Sequence, residues 1–178
     1  MLILKKAVPS VPIRSSLKIL VLGALGLGTM APALAQGVSG PYLAARHASG
    51  FSDFQAAAEY YATALMHDPS NPALMENAIL AYLSLGDLDR AAAVSRRLIS
   101  VGAESQVANM ALLADHAKKE EFDRIGPELD AGRSVGPLVD GLLKAWAELG
   151  MGRMSEALAT FDEVAGTRGI EIFGLYHK

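Results

Sequence analysis

The 178-residue sequence contains no cysteine. That excludes disulfides, thiolate metal sites, cysteine nucleophiles and thioether haem attachment. Histidine is scarce too, with four in all: His47, His67, His116 and His177. No two lie at a helical ligand spacing, and there is no HExxH or HxH pattern, so no metal site is expected. Beyond the leader segment the sequence has no G-x-S-x-G, no S-x-x-K, and no Walker or dinucleotide fingerprint, so neither a catalytic residue nor a cofactor is expected. A basic excess is also missing. The formal charge is −3, and the Arg96-Arg97 pair is too small a patch for nucleic acid. What is present is a chain 51% apolar and 20% charged, the composition of a globular domain and not of a disordered one.

The first 35 residues differ from the rest. They hold Lys5, Lys6, Arg14 and Lys18 and no acidic residue, which leaves 12 basic and 19 acidic residues beyond them, a charge of −7. A basic start is followed by the apolar run ILVLGALGLG (Ile19 to Gly28) and then TMAPALA, ending in Ala33-Leu34-Ala35. This is the layout of a cleavable secretory leader, with small residues flanking the cut and Pro32 breaking the helix before it. Residues 1–35 are therefore expected to be a signal peptide cleaved after Ala35, and 36–178 the mature domain. The competing expectation is an uncleaved anchor over Leu17 to Ala35. Against it, Gly23, Gly26, Gly28 and Pro32 weaken a helix, and the apolar run is short of the roughly 20 residues that a span needs. The expected location is the periplasm, with no stable membrane insertion after cleavage.

Beyond the leader the sequence repeats. A shift of 34 residues superposes Ala44 on Ala78, Asp53 on Asp87, Phe54 on Leu88 and Ala57 on Ala91. A second shift takes Ala78 to Leu112, Asp87 to Glu121 and Ala91 to Ile125. Each unit reads as two helices. In the second, Asn71 caps the first helix and Pro72 fits its first turn. Gly86-Asp87 turns the chain, and Leu88, Ala91, Val94 and Leu98 line the second helix at helical spacing. In the first unit Asp68-Pro69 ends the helix, because the residue before proline is pushed out of the helical region.

On these residues, segments 38–71 and 72–105 resemble tetratricopeptide repeats (TPRs). Ala57, Tyr61, Ala64 and Pro69 match the family pattern in the first, and Ala78, Tyr82, Gly86 and Ala91 in the second. A third, degenerate unit covers 106–136, where Gly126-Pro127 predicts a short or kinked second helix. A fourth covers 137–168. The resemblance implies an all-α fold, a right-handed α-solenoid of about four antiparallel helix pairs. The arrangement is similar to secreted TPR proteins of proteobacteria, particularly alphaproteobacteria. Residues 169–178 read as the start of a further helix. Phe173, Leu175 and Tyr176 are expected to pack on Trp146 or Phe161, or to mediate self-association. The absence of a polar cap there raises the expectation of a longer array.

The resemblance also implies that the first helix of each pair lines a concave groove. The groove candidates are Tyr42, Arg46, Glu76, Asn77, Leu80, Met110 and Ala114, with Trp146 in the fourth unit. Leu80, Met110 and Trp146 could equally be interhelical core. Arg46 is the candidate for pairing with a carboxylate bidentately. The expected function is a non-catalytic scaffold of the bacterial cell envelope that binds a protein or peptide. The alternatives are an envelope-assembly accessory such as a holdase, or the N-terminal portion of a longer protein with an activity beyond residue 178.

Overall fold

The computed structural model describes residues 37–178, and every statement below concerns those residues. The leader, its cleavage after Ala35 and the alternative anchor lie outside them. Nine α-helices and no strands are found among the described residues: α1 (Ser39–Gly50), α2 (Phe54–His67), α3 (Pro72–Ser84), α4 (Leu88–Ser100), α5 (Gln106–Lys118), α6 (Phe122–Asp130), α7 (Pro137–Gly150), α8 (Met154–Ala165) and α9 (Glu171–His177). Each helix packs on the next, and α3 also packs on α5, so consecutive pairs stack as in a TPR-like solenoid. No described helix is long and apolar enough to cross a membrane.

Local chemistry sets the helix ends. Asp53 accepts from the Ala56 amide, Asn71 from those of Ala73 and Leu74, Asp87 from Arg90 and Ser105 from Ala108. Each satisfies N–H groups that the first turn leaves without a helical partner. Between the two helices of every pair one residue takes a left-handed backbone: Ser52 (φ 60°), Gly86 (71°), Glu120 (57°) and Gly152 (76°). The turn requires that conformation, which glycine adopts freely and serine and glutamate adopt at a cost. The Asp68-Pro69 stop holds, with α2 ending at His67.

The largest core cluster runs from α1 into α5. Ala45, Ala57, Ala64, Ala78, Ala91, Ala108 and Ala111 are fully buried within it, beside Tyr61, Met75, Ile79 and Leu98. Alanine allows the helices to approach closely, and the larger side chains fill the spaces between ridges. Two smaller clusters follow. One joins Leu113, Ile125 and Ala147, the other Ala145, Ala157 and Phe161. The second helix of the third pair is short, as its Gly-Pro predicts. α6 has nine residues, contains Pro127 and buries only Ile125.

Close approach in the last four helices depends on glycine. A Cβ at Gly150 would lie 2.6 Å from Phe122 Cδ2, and one at Gly141 2.5 Å from Val164 Cγ2. At Gly174 it would meet the backbone of α8, 2.7 Å from the Phe161 carbonyl oxygen. Gly174 therefore lets α9 lie directly on the α8 backbone. The residues expected to dock this end do not. Phe173, Leu175 and Tyr176 are 43%, 62% and 84% exposed. The ring that meets Trp146 and Phe161 is that of His177, whose Nδ1 accepts from the Trp146 indole N–H at 3.3 Å. The cause is helix phase: Gly174 faces α8, which turns its apolar neighbours outward.

Candidate functional site

The four left-handed turn residues give a common register for the first helices. Arg46, Leu80, Ala114 and Trp146 each stand six residues before the turn, and Tyr42, Glu76, Met110 and Leu142 ten before it. The groove candidates thus occupy equivalent positions on α1, α3, α5 and α7. Leu80, Met110 and Trp146 are 44%, 40% and 46% exposed, which places them on the surface and not in the core.

Several polar candidates already have partners. The Arg46 guanidinium donates to the Tyr42 hydroxyl at 3.1 Å and lies 5.9 Å from that ring's centroid. One of its five N–H donors is used in that bond. The Asn77 side-chain amide donates to the Ala73 carbonyl of its own helix at 2.7 Å. Glu76 accepts from the Ser105 hydroxyl at 2.7 Å, while the same hydroxyl oxygen accepts from the Ala108 amide. Glu76 therefore ties α3 to the start of α5.

A second group lies on the other side of α5. Helical phase sets Leu112, Asp115, His116 and Lys119 opposite Met110 and Ala114. Asp115 is 2% exposed. Arg96 of α4 donates to its Oδ2 at 3.3 Å, and the Lys119 ammonium stands 2.7 Å from its Oδ1 as an ion pair outside hydrogen-bond geometry. Burial is the strongest single influence on this carboxyl and pushes its pKa up. Lys119 and then Arg96 outweigh it, so the pKa sits below the ordinary carboxylate value. His116 Nδ1 lies 2.7 Å from Glu121 Oε2, and this bond is the main reason that Glu121 also titrates low. Arg124 pairs more loosely with Glu121 at 3.6 Å, and Arg133 pairs with Glu128. A basin of about 360 Å³ opens over these groups, with Ile99 and Leu112 among its lining residues.

Sequence reasoning read Arg96-Arg97 only as a basic pair too small for nucleic acid, and it gave Asp115 no role. Arg96 in fact compensates a buried carboxylate across two helices, and Glu121 holds His116. A signal existed. Asp115 stands five residues before its turn, where the second and fourth pairs bury Ala81 and Ala147. A carboxylate in an alanine position needs compensating cations nearby.

Among the described residues, no cluster of three or more histidines or carboxylates is arranged to hold a metal ion. Residues 42–106 match the family model described as tetratricopeptide repeat. That stretch is similar to tetratricopeptide repeats. It spans α1 to α4, nearly all of the large core cluster, and ends where the third pair begins. None of the curated proteins matches the chain. Beyond residue 106 the TPR-like reading rests on the shared turn register and on helix stacking. TPRs are generally protein-interaction modules, typically without catalysis of their own.

Proposed function

We propose that this chain is a non-catalytic scaffold of the bacterial cell envelope, which binds a protein or peptide along its first-helix face. The observation that carries the reading is the TPR-like segment with apolar side chains left exposed on the first-helix face, Leu80 six residues before its turn and Met110 ten before. Exposed apolar groups on the first helices of neighbouring pairs suit an extended or helical peptide. Tyr42 and Arg46 add a polar end, and Ala114 leaves room for a ligand side chain. The envelope location rests on the leader-like residues 1–35, and a proteobacterial origin on the resemblance of the arrangement to secreted TPR proteins.

The test is photo-crosslinking from positions 80 and 110 in envelope fractions of the producing cell. One or two defined partners support the scaffold. Broad labelling of unfolded chains points to a holdase instead. The absence of any adduct, or retention of the protein in the cytoplasm, overturns the reading. N-terminal sequencing of the envelope protein should begin at Gln36 if the leader is cleaved.

A further inference from the structure

We propose that the basin between α4, α5 and α6 is a second recognition site, for an acidic and partly apolar segment of a partner protein. The inference does not depend on the first-helix face, since the basin lies on the other side of α5. The first argument is the balance of donors and acceptors. Asp115 is flanked by two cations, Glu121 is met by His116 and Arg124, and Glu128 is met by Arg133. The carboxylates are thus engaged, whereas the arginines are not used up. Arg96 gives Asp115 a single N–H bond, and Arg124 stands 3.6 Å from Glu121, beyond a good hydrogen bond. Each guanidinium has five donors in a rigid fork. Their side chains are 56% and 63% exposed beside the same basin. A ligand here must bring acceptors, and a carboxylate fits the fork bidentately.

Charge distribution and lining supply the other arguments. The basin is lined by four cations, Arg96, Lys119, Arg124 and Arg133, against three carboxylates, in a domain that beyond residue 35 is acidic overall. Ile99, half-buried at its edge, gives the basin apolar surface that a bare inorganic anion would leave uncovered. Asp115 is a positioning residue in this scheme. Almost without solvent exposure, it holds Arg96 and Lys119 at the rim and is itself screened by them from an incoming anion.

The test uses the full chain and a fluorescein-labelled synthetic peptide of alternating glutamate and leucine, read by fluorescence anisotropy. Binding should be saturable and weaken with salt. Arg124→Gln should weaken it several-fold, and Arg96→Gln with Arg124→Gln about tenfold or more. Leu80→Ser with Met110→Ser should leave peptide affinity unchanged, while the same substitutions should abolish envelope crosslinks made from position 114, so the two sites fail separately. Because Arg96 also compensates Asp115, the Arg124→Gln variant, which alters only an exposed pair, carries the test if the double variant does not fold. Unchanged affinity in Arg124→Gln and in any folded double variant overturns the proposal. So does full competition by inorganic phosphate, or capture of the chain by phosphatidylglycerol vesicles with no peptide binding.

Discussion

The first two helix pairs and the helices after them solve the same packing problem with different residues. In α1 to α4 the close contacts are made by fully buried alanines, and the second to fourth helices carry side-chain N-caps. In α6 to α9 none of the helices has a side-chain cap, the core divides into small clusters, and contact between helices relies on Gly141, Gly150 and Gly174. Glycine permits a closer approach than alanine but contributes no side-chain burial and lowers helix propensity. α5 sits between the two regions. It is capped by Ser105 and belongs to the large core, yet it also holds Asp115 and anchors the loop before α7 through Asn109, which donates to the Ser134 carbonyl at 3.0 Å. The family match ends at residue 106, at the edge of this change. Departure from the repeat pattern therefore coincides with a thinner core.

This contrast can be broken most severely at its strong side. Tyr61 is 1% exposed in the large cluster, and Tyr61→Ala should destabilise the domain by about 3–5 kcal/mol, measured by chemical denaturation. A smaller loss would mean that the first two pairs do not dominate stability. Ala91→Leu comes next. Its position is fully buried where α4 meets the core, and overpacking should cost about 1–3 kcal/mol in the same measurement.

An effect of acid should follow at the junction. Asp115 and Glu121 titrate below their ordinary values in the folded state. Their contribution is fully present above the unfolded carboxylate pKa of about 4 and is lost as pH falls toward the lower folded values. Thermal melts between about pH 5 and pH 2 should show this loss, and Asp115→Asn should flatten the curve. An acid limb of undiminished slope in that variant would place the linkage elsewhere. The smallest change sharpens the comparison at its weak side. Arg153 follows the left-handed Gly152 where the first two pairs have Asp53 and Asp87. Arg153→Asp should install the missing cap and remove a cation from a helix N-terminus, a gain of about 0.5–1 kcal/mol in denaturant midpoint. Hydrogen exchange should then show slower opening of α8.

Much of this was legible from residues. The 34-residue shift, Asn71 as a cap, Gly86-Asp87 as a turn, Pro69 as a stop and Pro127 as the mark of a short helix are local signals, and the structure agrees with each. The surface position of Leu80, Met110 and Trp146 was open between groove and core, because periodicity identifies a face without saying what covers it. The three apolar residues near the end were expected to pack on Trp146 or Phe161 or to mediate self-association; helix phase gave the first of these contacts to Gly174 and His177 instead.

The sequence by itself determined the repeat, the turns and the caps, since these depend on residues within a few positions of one another and on backbone preferences that need no distant partner. Only the tertiary structure decided where Asp115 finds its cations, that Glu76 binds Ser105 29 residues away, and which side of α5 gathers the arginines. Those outcomes depend on how one helix pair lies on the next. A buried charge is stable only through groups that stacking brings within a few ångströms, and neither composition nor spacing along the chain contains that distance.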